Sequence, residues 1–134
     1  MIIKEHKTYN ESKILSLYSA VGWTAYTDLP EALRSGFEKS LLTLAAYEDG
    51  KLIGLIRCVG DGETIVYVQD ILVYPEYQRQ GIGTALLREV LSRFSHVRQI
   101  VLSTDKEERT LRFYRSLGFA SLEDIGCRGF MLIK

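Results

Sequence analysis

The chain has 134 residues, of which 46% are apolar and 25% charged, the composition of one soluble globular domain of ordinary size. Seventeen Lys and Arg balance 17 Asp and Glu, so no whole-molecule field exists to hold nucleic acid or an anionic membrane. No apolar run nears the roughly 18 residues that span a bilayer, and the opening Met1-Ile2-Ile3-Lys4-Glu5-His6-Lys7 is too charged for a secretory leader. Cys58 and Cys127 are isolated thiols, neither a disulfide framework nor a metal quartet. The expectation is a single cytoplasmic domain over residues 1–134 that binds no metal, no nucleic acid and no membrane.

In chain order, Ile14, Leu15, Leu17, Tyr18 and Val21 recur at helical spacing after the capping stretch Asn10-Glu11-Ser12. A second helix is expected after Asp28-Leu29-Pro30, with Ala32, Leu33 and Phe37 on one face. Thr43 to Glu48 and Lys51 to Val59 read as strands joined by Asp49-Gly50, the strongest short hairpin signal present. Gly60-Asp61-Gly62-Glu63 makes the next turn, and Thr64 to Val73 is a long third strand. Leu86, Leu87, Val90, Leu91 and Phe94 then form the apolar stripe of a helix. A strand at Arg98 to Ser103 and a helix at Lys106 to Leu117, closed by Gly118, follow. Phe119 to Leu122 and Arg128 to Ile133 are expected as a final pair of strands. The order is α+β, with a parallel strand reached by a crossover helix.

The stretch from the long strand into its helix carries the most information. Gln78-Arg79-Gln80-Gly81-Ile82-Gly83-Thr84 places two glycines between a strand and an amphipathic helix. Backbone N–H groups at such a helix start suit a phosphate. About one Gly-x-Gly pair is expected by chance among 11 glycines in this length, so context alone gives the motif weight. No Gly-Lys-Ser/Thr follows, and Leu86 stands where a dinucleotide fingerprint needs its third glycine. A tight connection without a ligand remains the plain alternative.

Those residues resemble the acyl-CoA loop of the Gcn5-related N-acetyltransferase (GNAT) superfamily, Gln/Arg-x-x-Gly-x-Gly/Ala, at every specified position. A second family signature, Phe-Tyr-x-x-x-Gly-Phe, appears as Phe113-Tyr114-Arg115-Ser116-Leu117-Gly118-Phe119. The resemblance implies a three-layer α/β/α fold whose central mixed, mostly antiparallel sheet holds acyl-CoA at a splayed strand pair. Acetyl-CoA is the implied co-substrate. Its pyrophosphate would meet Arg79, Gln80, Gly81, Ile82, Gly83 and Thr84, with Gln78 beside them. Its pantetheine arm would add to the strand at Ile71, Leu72 and Val73. A bulge near Leu72 would aim a backbone N–H at the thioester oxygen. Glu107 stands where the family often carries a coenzyme-contacting Asn.

The implied reaction is acetyl transfer to a small-molecule or peptide amine by direct attack. An amine of pKa near 10.4 needs about 4.6 kcal/mol to be neutral at pH 7, so a base is useful. Asp70 is the candidate if it shares a strand face with Val68 and Leu72; a structural carboxylate is the alternative. Tyr114 resembles the family's donor to the departing thiolate. A covalent route through Cys58 or Cys127 lacks a recognisable histidine partner, since His6 and His96 have no motif context. Trp23, Tyr26 and Asp28 form a candidate acceptor pocket, an aromatic pair beside a carboxylate. Trp23 as a core plug and Asp28 as a helix cap are the competing readings. A non-catalytic acyl-CoA sensor of the same fold, and a homodimer, stay open.

Overall fold

The computed structural model describes residues 1–134. Its elements are β1 (Ile2–Glu5), α1 (Glu11–Ala20), α2 (Thr24–Thr27), α3 (Pro30–Glu38), β2 (Leu42–Glu48), β3 (Lys51–Gly60), β4 (Ile65–Val73), α4 (Ile82–Arg93), β5 (Gln99–Leu102) and α5 (Glu108–Ser116). One five-stranded sheet runs in the order β1-β2-β3-β4-β5. Its first four strands pair antiparallel, and β4 with β5 parallel. The chain divides into two compact units, Met1–Ser103 and Thr104–Lys134.

Local chemistry explains the starts and turns. Asn10 caps α1, its side chain accepting the Lys13 N–H at 3.2 Å. Pro30 occupies the first turn of α3, where a missing N–H costs nothing. Asp49 and Gly50 both adopt positive φ, 49° and 78°, as a two-residue hairpin with right-handed strand twist demands.

The first unit has three layers. On one face Ile14, Leu17 and Tyr18 of α1 and Leu33 and Phe37 of α3 close a core with Ala45, Leu52, Leu55 and Leu72 of the sheet. On the other, α4 packs on the sheet and buries Ile82, Leu86, Leu87 and Val90. Residues paired across strands share a face. Leu55 pairs with Leu72 and Arg57 with Asp70, but Cys58 pairs with Val68. Gln69 is therefore a bulge residue, and it flips the face that follows. The bulge lies at Gln69, not near Leu72, and Asp70 shares Leu72's face but not that of Val68. Alternation of burial along β4 hides this, because both faces are covered.

The second unit contains α5 and a single-turn helix at Glu123–Ile125. The expected strands at Phe119 to Leu122 and Arg128 to Ile133 are absent. The Phe119 N–H instead returns to the Tyr114 carbonyl at 3.1 Å, closing α5, and residues 128–133 find no backbone ladder in the chain. The sequence reading also missed β1 and α2, each four residues long.

Candidate functional site

The pairing of β4 with β5 ends at Val68 opposite Leu102, so Asp70 to Val73 are paired only with β3 and Gln69 with neither neighbour. The Tyr74 N–H donates to the Ile53 carbonyl of β3 at 2.9 Å. By alternation Leu72 also turns its N–H toward β3, whereas Ile71 and Val73 turn theirs to the open side. Gln78 confirms the geometry, its Nε2 donating to the Val73 carbonyl at 3.1 Å. Of the three expected strand positions, two thus offer backbone groups to an extended ligand, and Leu72 contributes core packing.

Beyond a single-turn helix at Pro75–Tyr77, Arg79 and Gly81 take φ of 63° and 82°. This sequence of left-handed residues forms a concavity of N–H groups. Helix α4 begins at Ile82 without a side-chain cap, and its first intrahelical bond joins the Ala85 N–H to the Gly81 carbonyl at 3.0 Å. The N–H groups of Ile82, Gly83 and Thr84 therefore lack intrahelical acceptors. Gln80 is tied to the Glu76 carbonyl at 3.3 Å, and Glu76 faces Lys51 at 3.7 Å. Arg79 is the exposed side-chain cation of the loop. A phosphate-bearing ligand fits this donor set.

Asp70 is only 2% exposed and accepts three hydrogen bonds. Tyr18 Oη donates to Oδ2 at 2.8 Å and Tyr26 Oη to Oδ1 at 2.9 Å. Arg57 Nε reaches Oδ2 at 2.8 Å in a buried ion pair, and its Nη1 donates to Ser40 Oγ at 3.2 Å. Gln69 Nε2 donates to the Tyr26 oxygen at 3.0 Å. Burial, reinforced by the Asp70 charge, holds the Tyr18 phenol far above its ordinary range. Burial also raises Tyr26. With a cation and two hydroxyls bound, the Asp70 carboxylate is occupied as an acceptor within the fold. The geometry favours the structural alternative.

Trp23 lies at 6.0 Å from the ring of Tyr18 and 6.2 Å from that of Tyr26. It is half-buried at the edge of the core. Asp28 is exposed at the end of α2, and α3 is capped by Leu29 without a side-chain bond. Asp28 is therefore not the helix cap, and the carboxylate beside the aromatic pair is Asp70. Sequence reasoning missed Ser40 and Arg57, and it placed Tyr18 on an apolar helix face without its bond to Asp70. An arginine inside the apolar run Leu52-Ile53-Gly54-Leu55-Ile56-Arg57-Cys58 was the available signal, since such a charge needs a partner. Burial pushes the Cys58 thiol up to about 12, so it is no thiolate near neutral pH.

In the second unit, Tyr114 lies 5.0 Å from Phe113 and 5.8 Å from Phe119, ring to ring and edge-on. Burial and then the Asp105 carboxylate raise its phenol above the ordinary range, so it is a protonated donor at neutral pH. Glu107 precedes α5 and faces Arg109 at 3.9 Å.

An open edge on β4 leading into an uncapped helix through a Gly-x-Gly loop is the arrangement of one acetyltransferase class. Residues 9–119 match the model of the Acetyltransferase (GNAT) family, and the chain belongs to that family. Over 125 residues it is 26% identical to GCN5-related N-acetyltransferase 1, chloroplastic, of Arabidopsis thaliana, covering 93% of this chain and 63% of that relative. An acetyltransferase of the GNAT family from Streptococcus pneumoniae TIGR4 superposes with a TM-score of 0.90 at 41% identity, covering 99% and 97% of the two chains. An aminoglycoside 6'-N-acetyltransferase complexed with coenzyme A shares the fold, with a TM-score of 0.72 at 20% identity over 88% and 84%. No helix is long and apolar enough to cross a membrane.

The buried pair gives a stability prediction. Arg57→Met should destabilise the fold by about 3–5 kcal/mol, because it strands a buried carboxylate. Arg57→Met combined with Asp70→Leu should recover much of that loss. Urea denaturation of both variants checks it.

Proposed function

We propose that the chain transfers the acetyl group of acetyl-CoA to a primary amine by direct attack in a ternary complex. The observation that carries this reading is the continuous track of unpaired backbone donors, from Ile71 and Val73 on β4 to the N–H groups of Ile82, Gly83 and Thr84. Gln78 anchors the loop, while Arg79, Gln80 and Gly81 shape the concavity for the pyrophosphate. The co-substrate supplies the activated thioester; the protein fixes its extended arm and its phosphates.

Residues of the first unit then have distinct roles. Asp70 holds the Tyr26 hydroxyl in one orientation, and with Gln69 it turns the Tyr26 oxygen into an acceptor for an amine N–H. Trp23 and Tyr26 offer aromatic faces to the acceptor, and Asp28 adds an exposed negative charge that favours a cationic amine. When the neutral amine's nitrogen bonds to the carbonyl carbon, the carbon–sulfur bond breaks. The nitrogen sheds one proton to solvent, and the departing thiolate takes up one proton to leave as the thiol. The match of Phe113-Tyr114 to the family signature supports Tyr114, protonated at neutral pH, as the candidate donor of that proton. Two isolated thiols, one buried and one exposed, suit a reducing compartment.

Acetyl-CoA at 100 times its dissociation constant should stabilise the protein by about 2.7 kcal/mol, read as a rise in melting temperature. No shift at millimolar ligand would remove the reading altogether. Release of free CoA across an amine panel separates an enzyme from a sensor that binds without turnover. Gly81→Ala adds a Cβ to a left-handed residue, a cost of about 1–2 kcal/mol. It should weaken acetyl-CoA binding through the distorted loop.

Tyr114→Phe should keep acetyl-CoA binding and lower turnover by roughly 10- to 1000-fold, measured where chemistry limits the rate. Tyr26→Phe removes the oriented hydroxyl. It should raise the KM for the amine about tenfold with little change for acetyl-CoA, as steady-state kinetics with each substrate varied would reveal. An equal loss for both substrates would return Tyr26 to packing.

A further inference from the structure

On the α1 side of the sheet, six residues line a cleft of about 280 Å³. Helix α1 supplies Ser12, Lys13 and Ser16, the start of β3 supplies Lys51 and Leu52, and Tyr74 closes it just past β4. Leu52 is 4% exposed and belongs to the core beneath α1, so the floor is apolar and fixed. The other five side chains carry two ammonium groups and three hydroxyls, with no carboxylate among them.

These groups are held in place. Lys51 Nζ lies 5.0 Å from the ring centroid of Tyr74 and 5.4 Å from that of Tyr77, over two aromatic faces. Its ion-pair partner Glu76, at 3.7 Å, is exposed and stands outside the lining. Lys13 enters none of the chain's ion pairs. Tyr74 Oη donates to Ser16 Oγ at 2.8 Å, which leaves the Ser16 proton for another acceptor. Ser12, in contrast, gives its proton to Asn10 Oδ1 at 3.1 Å. Two cations and one hydroxyl are therefore the uncommitted donors.

We propose that this cleft binds a small phosphate-bearing ligand, at a site separate from the loop of Gln78 to Thr84. A carboxylate gains little here, because Lys51 already has one. A phosphate brings up to two charges and three acceptor oxygens, one for each donor. Size points the same way. Clefts for drug-sized ligands hold roughly 300–1,000 Å³, so this one suits free phosphate or the phosphate end of a small monoester, not a nucleotide. Its donors are side chains on α1 and β3, whereas those of the loop are backbone N–H groups at the start of α4. Glu76 connects the two, facing Lys51 through its carboxylate and holding Gln80 through its carbonyl. The proposal does not rest on acetyl transfer.

The test is an amide NMR titration of the full chain with inorganic phosphate, at ionic strength held constant with chloride. Saturable shifts should appear at Lys13 to Leu17, Leu52 and Tyr74. Acetate at the same ionic strength should leave those amides unmoved. Lys13 and Lys51 are exposed, so Lys13→Met and Lys51→Met should fold. Each should weaken phosphate binding at the cleft about fivefold, with any shifts at Ile82 to Thr84 unaltered. A parallel titration with glycerol phosphate separates the two sources: tighter binding than inorganic phosphate assigns the cleft to a monoester, equal or weaker binding to the free ion. Phosphate shifts confined to Arg79 to Thr84 would overturn the proposal. So would cleft shifts that acetate reproduces, or an affinity unchanged in Lys13→Met. Displacement of cleft phosphate by saturating acetyl-CoA would also overturn it, because the donors would then belong to the coenzyme. If a variant fails to fold, the wild-type comparison of phosphate with acetate still decides.

Discussion

A guanidinium and a carboxylate, joined at 2.8 Å inside the sheet, constrain the rest of the first unit. Two charges drawn out of water are tolerable only when their remaining donors and acceptors are met. Here Tyr18 of α1, Tyr26 of α2 and Ser40 beyond α3 meet them. Each of the N-terminal helices, or the turn that ends it, is therefore positioned by a polar bond to one point on β3 and β4. Apolar packing of Ile14, Leu17 and Phe37 supplies the cohesion. It tolerates small slides that the hydrogen bonds do not.

The pair exists only because of the bulge at Gln69. Without the extra residue Asp70 would pair with Ile56 and turn to the α4 side of the sheet, away from Arg57. The same residue follows the last rung of the β4–β5 ladder at Val68. One insertion thus sends a carboxylate to the α1 side and begins the stretch of β4 whose outer edge stays open. Bulges bend strands and end pairing, so the structural charge pair and the open edge share one cause.

What was readable in the sequence is what depends on neighbours along the chain. Asn10, Pro30 and Asp49-Gly50 act within a few residues, and the elements they start or join stand where local rules put them. The loop from Gln78 to Thr84 was readable for the same reason, since its donors belong to one short stretch of backbone. The bulge was not, because it is a property of the register between two strands. Strand β1 has four residues, two of them charged, and single-turn α2 buries no residue; neither leaves a periodic trace. Arg57 was visible and unread: a charge inside an apolar strand asks for a partner, and β4 held the only nearby carboxylate at Asp70. Arg128 to Ile133 is the converse case, with strand propensity present and no partner strand within the chain.

The candidate acceptor side follows from where the protons of this network are committed. Tyr26 gives its hydroxyl proton to Asp70, and Gln69 donates to its oxygen. The hydroxyl can then only accept from a third group, and in the proposed reaction that group would be the amine N–H. Asp70 itself brings no net charge to that meeting, because Arg57 cancels it at contact distance. In the same proposal charge selection would fall to exposed Asp28, where solvent and salt weaken any attraction. Under the proposed function, shape and hydrogen bonding at Trp23 and Tyr26 would decide which amine is held, and charge would chiefly affect how it arrives. The proposed chemistry would ask for few side chains, because most of the ligand contacts would be backbone groups on the open edge of β4 and in the loop shaped by left-handed Arg79 and Gly81.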